Sequence, residues 1–112
     1  MRTLMLALFA LTAFGQEETV MVTCRAKPGA EANLQRVLAD HWTTIRDLKL
    51  VTAAPHTSLR GIDPTGKTYF VEIFTWKDAK IPDHAPEVVQ KLWSEMNNLG
   101  TIEIAEVTRW KN

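Results

Sequence analysis

The sequence predicts an α+β domain of ferredoxin-like type, in which a β-α-β-β-α-β order builds a four-stranded antiparallel sheet with two helices on one face. Three observations predict it. Apolar residues alternate with a period of two in four segments. They recur with a period near 3.6 in two segments placed between those strands. Asp63-Pro64-Thr65-Gly66 then has the composition of a turn that joins the second and third strands.

The four predicted strands differ in the strength of their sequence patterns. Residues 19–25 alternate Val20, Val22 and Cys24 with more polar neighbours, and residues 56–61 form a short second strand. Residues 68–76 are rich in aromatic and β-branched side chains, which favour strands. The last strand, residues 101–110, changes the phase of its alternation after Ile104, which predicts a β-bulge.

Residues 30–48 and 86–98 are predicted to be helices. The first carries an apolar stripe at helical spacing, made of Leu34, Val37, Leu38, His41, Trp42 and Ile45. The stripe of the second consists of Val89, Leu92, Trp93 and Met96. Pro86 suits the first turn, and Gly100 is predicted to end the second helix in a left-handed cap.

The turn also predicts a register for the hairpin. If Asp63 and Gly66 bracket it, Arg60 lies opposite Tyr69, and directly paired residues share a face. One face then holds His56, Ser58, Arg60 and Tyr69. The other holds Leu59, Phe70, Phe74 and Trp76, together with Glu72.

The third strand predicts a homodimer, because it is apolar on both faces. Tyr69, Val71 and Ile73 alternate with Phe70, Phe74 and Trp76. Two helices cover only one face of such a sheet, and large exposed apolar patches are rare on monomers. A second subunit is the simplest cover, and two facing sheets close a barrel. The alternative is an unusually apolar exposed face.

Residues 1–15 are predicted to be a signal peptide. Arg2 precedes an apolar run over residues 4–14, which is shorter than the roughly 20 residues of a membrane-spanning helix. Ala13 and Gly15 suit cleavage before Gln16. We therefore expect an exported domain over residues 16–112 that is not held in the membrane. The alternative is a buried N-terminal helix.

Composition excludes several classes of function. The chain has 13 basic and 13 acidic residues and no basic run, so no nucleic-acid partner is expected. Cys24, the only cysteine, is read as a small buried residue, with an intermolecular disulfide as the alternative. The three histidines show no metal-ligand spacing, so no metal is expected.

Three short motifs resemble the antibiotic biosynthesis monooxygenase (ABM) family of dimeric α/β barrels. Lys27-Pro28-Gly29 ends the first strand, Trp76-Lys77-Asp78 is followed by His84, and Leu92-Trp93 lies on the second helix. The resemblance covers residues 16–112 and implies that fold. Some members are cofactor-independent, quinone-forming monooxygenases, others degrade haem, and many have no known activity. The asparagine that haem-degrading members carry on the first strand is missing between Val20 and Arg25, which counts against haem cleavage.

Six residues are candidates for a site on this basis. His84, at the family's histidine position, and Arg60 and Tyr69, which could hold an oxyanion, are catalytic candidates. Trp76, Trp93 and His41 are candidates for binding a flat aromatic ligand. The alternatives are a loop histidine bonded to local backbone at His84, core tryptophans, and a core histidine at His41.

The sequence is compatible with three functions. The first is a monooxygenase that acts on a small aromatic or quinol-like molecule without a cofactor. The second is a non-catalytic module that binds a small molecule in the same cleft. The third is a structural dimer with a filled interior.

Overall fold

The computed structural model describes residues 16–111, and the predicted signal peptide, residues 1–15, lies outside them. The chain forms, in order, β1 (Glu18–Ala26), α1 (Glu31–Asp47), β2 (Thr57–Ile62), β3 (Thr68–Trp76), a 3₁₀ helix (Ile81–His84), α2 (Glu87–Leu99) and β4 (Gly100–Glu106). The strands make one antiparallel sheet in the order β2-β3-β1-β4. The predicted fold class and element order are confirmed.

Both helices pack on the same face of the sheet. The apolar stripe of α1 and two residues of α2 meet the inward side chains of β1 and β3, and the core so formed includes Leu34, Val37, Leu38, Ile45, Val89, Met96, Val20, Val22, Cys24, Phe70, Phe74 and Trp76. The opposite side of the sheet, here called the open face, carries the outward side chains Met21, Thr23, Leu59, Tyr69, Val71 and Ile73. The central strand is therefore apolar on both faces, as its alternation predicts.

The hairpin between β2 and β3 has one more residue in its loop than predicted. The backbone N–H of Asp63 donates to the carbonyl of Lys67, and Gly66 adopts a φ of +85°. The Asp63 carboxylate accepts hydrogen bonds from the N–H groups of Thr65 and Lys67. A glycine with positive φ that adds one residue after a turn is a common hairpin geometry, and it shifts the pairing by one position.

The predicted register is therefore wrong by one residue. Tyr69 pairs with Gly61, whereas Arg60 pairs with Phe70. A shift of one residue moves a side chain to the other face of the sheet. Arg60 consequently lies on the helix-covered face and Tyr69 on the open face. Leu59 likewise moves from its predicted place beside Phe70 to the open face.

Gly100 does not form the predicted left-handed cap. Its φ of −176° and ψ of −169° are extended, and it is the first residue of β4. A Cβ atom at this position would lie 2.2 Å from the carbonyl oxygen of Arg25. Glycine is required here because β1 approaches too closely for any side chain. The strand then pairs with β1 without interruption to Glu106, so the predicted bulge is absent from it.

Within residues 16–111, neither helix has the length and apolar character that crossing a membrane requires.

Candidate functional site

A cavity of ≈ 460 Å³ lies between the sheet and the two helices, on the side of β1 and β4. This volume falls in the range of small-molecule sites. Its floor consists of buried side chains that alternate inward along β1 and β3 or lie on the helix stripes: Val20, Val22, His41, Phe74, Trp76 and Met96. The sequence places each of these on an inward face, and the crossing of the helices over the sheet brings them around one space.

His41 and Trp93 form the polar contact of the cavity wall. The indole Nε1–H of Trp93 donates to Nε2 of His41 at 2.9 Å. An imidazole nitrogen that accepts a hydrogen bond carries no proton, so the proton of the neutral ring is on Nδ1. The ring is also held at its sides, because Phe74 meets it edge-on at 6.1 Å between centroids. His41 is therefore a fixed, uncharged group.

Burial explains why His41 stays uncharged. The side chain is 4% exposed, and desolvation lowers its pKa from 6.5 to about 4, with a further contribution from the charge of His56. At neutral pH, His41 can therefore donate one hydrogen bond from Nδ1. With Nε2 engaged by Trp93, it is poorly suited to act as a general base.

The rim of the cavity is more polar than its floor. Glu18 begins β1, Asp83 lies in the 3₁₀ helix, and Asn97 lies in the last turn of α2. The Asn97 side chain donates from Nδ2 to the carbonyl of Trp93 at 3.0 Å. Ile104 of β4 completes the rim and is 69% exposed. The charged side chains among the lining residues are thus both carboxylates at the rim.

A second polar cluster lies on the other side of α1, at the edge of the sheet. Glu72, which is 7% exposed, is hydrogen-bonded to Nε2 of His56, and the two form an ion pair when the imidazole is protonated. The imidazole of His56 stacks on Trp42 with 3.7 Å between ring centroids and 8° between planes. The Ser58 hydroxyl lies 3.3 Å from the same Nε2.

This cluster does not have the geometry of a nucleophile triad. In such a triad the carboxylate and the hydroxyl occupy different nitrogens of the imidazole, whereas Glu72 and Ser58 both contact Nε2 of His56. Its electrostatics are those of a buried ion pair: desolvation raises the pKa of Glu72, and the hydrogen bond and charge of His56 partly oppose that rise.

Burial, aided by the Glu72 charge, raises the pKa of Cys24 to about 12, so this thiol is unreactive.

The structure brings together the three candidates for ligand binding. Trp76, Trp93 and His41 all line the cavity, and the two indole rings meet at 86° with 6.5 Å between centroids. They therefore form adjoining walls of one space, while Trp76 also belongs to the core.

The three catalytic candidates are not brought together. His84 ends the 3₁₀ helix with an exposed side chain, although its neighbour Asp83 lines the cavity. Arg60 donates to Gln35 at 3.5 Å on the helix-covered side of the edge strand. Tyr69 lies on the open face under the guanidinium of Arg25, 5.6 Å from the ring centroid. The expectation that Arg60 and Tyr69 share a face is wrong, because the hairpin register differs by one residue.

Sequence reasoning missed both the rim carboxylates and the ion pair of His56 with Glu72. A carboxylate in the middle of an apolar strand, as at Glu72, is a signal for a buried partner. The identity of that partner depended on the register that Gly66 changes. Across residues 16–111, no group of three or more His, Cys, Asp or Glu side chains is arranged to hold a metal ion.

No protein-family model matches this sequence, and no curated protein sequence matches it. Its fold, however, matches solved structures. A point variant of SnoaB, a cofactor-independent oxygenase from Streptomyces nogalater, aligns with a TM-score of 0.67 and 21% identity over 88% of this chain and 97% of SnoaB. A candidate antibiotic biosynthesis monooxygenase from Chloroflexus aurantiacus aligns with a TM-score of 0.54 and 12% identity over 87% of this chain and 98% of that one. The chain has an ABM-like fold, as the sequence motifs predict.

The same comparison shows why the fold does not assign an activity. The de novo designed protein Foldit4 aligns with a TM-score of 0.53 and 10% identity over 85% of this chain and 100% of the design. Because an oxygenase and a designed protein share this fold, an activity has to be argued from the residues of the site.

Proposed function

We propose that this protein is an exported, cofactor-independent monooxygenase that oxidises a small aromatic or quinol-like molecule in the cavity between sheet and helices. The observation that carries the proposal is a cavity of ≈ 460 Å³ whose walls include the indoles of Trp76 and Trp93 and the uncharged imidazole of His41. Flat apolar walls with a few polar groups are the usual form of an aromatic binding site. The ABM-like fold, shared with SnoaB, supports the assignment.

The proposed reaction needs no external reductant. A phenol and dioxygen give a quinone and water: one oxygen atom enters the ring at a C–H position, the other leaves as water, and the substrate supplies all four electrons. Such chemistry suits a protein outside the cytoplasm, where nicotinamide cofactors are absent. The cavity residues would orient the ring and exclude water, while Nδ1–H of His41 is a donor for a substrate oxygen.

Oxygen uptake tests this function. The full chain is expressed, the processed protein is purified from the exported fraction, and a panel of phenols and quinols is supplied without added cofactor. We expect oxygen consumption and, with isotopically labelled dioxygen, one labelled atom in the quinone. Retention of an aromatic ligand without oxygen uptake would instead support a non-catalytic binding module. The catalytic roles of His84, Arg60 and Tyr69 remain predictions, which alanine substitutions in the same assay test.

Blocking the cavity from its rim should weaken ligand binding without unfolding the protein. Ile104→Trp adds an indole at a position that is 69% exposed and lines the cavity, so we expect at least about a tenfold loss of affinity and turnover. Ile62→Trp is the matched control, because Ile62 is 71% exposed on the opposite edge strand, away from the cavity. Equal affinities of the two variants, measured by calorimetry, would place the ligand elsewhere.

We further propose that two copies pack through their open faces. Met21, Val71 and Ile73 lie side by side there on β1 and β3, and an apolar sheet face of this kind is usually covered. A native mass spectrum of the exported protein tests this proposal and the cleavage before Gln16 together. We expect twice the mass of residues 16–112. A monomer would contradict the dimer, and a full-length mass would contradict processing.

A further inference from the structure

We infer that the cavity selects aromatic molecules that carry no negative charge and donate hydrogen bonds, and that it rejects anions such as aromatic carboxylates. The inference rests on the proposed function in placing a ligand in this cavity, and it defines the charge class of that ligand. It follows from the charges and hydrogen bonds of the lining side chains.

The fixed charges at the cavity are of one sign. Glu18 and Asp83 line the rim, and the lining residues include no lysine or arginine. A low-dielectric cavity wall strengthens the field of nearby charges, so an anion entering past two carboxylates is repelled. The positive charge of Arg60 could have offset these two carboxylates, but its guanidinium contacts Gln35 at the edge strand and does not line the cavity.

Two of the side-chain donors that could stabilise an anion are already engaged. The indole N–H of Trp93 donates to His41 at 2.9 Å, and Asn97 donates from Nδ2 to the Trp93 carbonyl at 3.0 Å. Burial of His41 keeps its pKa at about 4, so it brings no positive charge at neutral pH. Beside the Nδ1–H of His41, the polar groups of the lining include the two carboxylates of Glu18 and Asp83, which match a ligand that donates through hydroxyl groups.

The orientation of α2 also disfavours anions in the cavity. Trp93, Met96 and Asn97 line the cavity from the second half of this helix, Glu87–Leu99. The carboxyl end of a helix carries a partial negative charge, which disfavours a neighbouring anion. In the proposed reaction, the phenol therefore enters with its proton, and the hydroxyl can donate to a rim carboxylate.

Three probes with one ring system separate charge from shape: 2-naphthol, 2-naphthoate and 2-naphthylmethylammonium. Calorimetric titration of the purified protein at neutral pH and low ionic strength should show 2-naphthoate binding about fivefold more weakly than 2-naphthol. The cation should bind at least as well as 2-naphthol. Added salt should narrow the difference, because salt screens exposed charges.

Substitutions at the rim identify the source of the discrimination. In the double variant Glu18→Gln/Asp83→Asn, we expect the difference between 2-naphthol and 2-naphthoate to fall below about twofold. Asp40 of α1 and Glu95 of α2 line a separate groove between the two helices, outside the cavity. The control Asp40→Asn/Glu95→Gln removes the same net charge from that groove and should retain the wild-type difference. Thermal unfolding followed by circular dichroism verifies that both variants are folded.

The outcomes separate this inference from the proposed activity. Equal affinity for 2-naphthol and 2-naphthoate in the wild type overturns the inference, and so does discrimination that survives in the rim variant. A protein that gives quinone in the oxygen assay but accepts 2-naphthoate equally well would keep the activity and lose the inference. Charge discrimination without oxygen uptake would keep the inference and lose the proposed activity. Failure of all three probes to bind would overturn the inference together with the assignment of the cavity.

Discussion

Replacing His56 with alanine is expected to lower the free energy of unfolding by about 3 kcal/mol, because it leaves the buried carboxylate of Glu72 without its partner. Glu72 is 7% exposed, and its ion pair with His56 is the contact that offsets its desolvation. The substitution also removes the imidazole that stacks on Trp42 at 3.7 Å between centroids. Urea unfolding of the wild type and the variant measures the change.

Matched variants show which part of the loss is electrostatic. Glu72→Gln removes the buried charge but keeps a hydrogen-bonding group, so it should cost less than His56→Ala. The double variant completes a thermodynamic cycle, in which we expect a coupling energy of about 1–2 kcal/mol. Ser58→Ala removes only the hydroxyl at 3.3 Å from the imidazole and should change stability by less than about 0.5 kcal/mol.

The pH dependence of the His56→Ala defect has a defined sign. Burial already raises the pKa of Glu72 above 4.5, and the His56 hydrogen bond that lowers it is lost in the variant. A group whose pKa is raised on folding contributes stability at low pH and loses it as the pH rises through the folded pKa. The defect should therefore be larger at neutral pH than near pH 4.5. A defect below about 1 kcal/mol at neutral pH would mean that water replaces His56.

The order of the elements could be predicted from the sequence because each one is encoded locally. The alternation in Thr68–Trp76 and the helical stripe through Leu34, Val37 and Ile45 depend only on neighbours along the chain. The boundaries of these elements lie within a few residues of those expected. Local patterns also placed Trp76, Trp93 and His41 on inward faces, but not around a common cavity.

The features that escaped prediction depend on contacts between distant segments. The composition around Gly66 suits both the predicted turn and the observed turn, which is one residue longer. The φ of +85° at Gly66 belongs to the longer turn, and this turn sets the register that separates Arg60 from Tyr69. Gly100 follows a helix and has the composition of a cap, yet it is required by the approach of Arg25 from β1. The partner of Glu72 could not be assigned until that register was known. In each case, the deciding interaction joins elements that are far apart in sequence.

Acidification is expected to destabilise the protein by about 3 kcal/mol through His41 alone. Its pKa is lowered from 6.5 to about 4 on folding, mainly because the ring is buried. In the window between these two values, the unfolded chain binds a proton that the folded protein does not. Stability from this group is therefore fully present above pH 6.5 and is lost as the pH falls to about 4.

His41→Gln should flatten this part of the stability curve, because glutamine does not titrate and its side-chain oxygen can accept the hydrogen bond from Trp93. Urea unfolding at several pH values between 6.5 and 4 measures the difference between the two proteins. Glu72 and Asp63, whose pKa values are also displaced, are present in both and cancel in the comparison. His84→Gln is the control, because it removes an exposed histidine and leaves His41 and its hydrogen bond from Trp93 in place.

Parallel curves for wild type and His41→Gln would mean that folded His41 takes up its proton over the same pH range as in the unfolded chain. In the protonated state Nε2 would carry a proton of its own and could not accept the hydrogen bond from Trp93. Nitrogen NMR of the imidazole distinguishes the two cases directly: we expect a neutral ring at pH 6.5 with its proton on Nδ1. A charged ring would supply the cavity with a cation, and the expected rejection of anionic ligands would be lost with it.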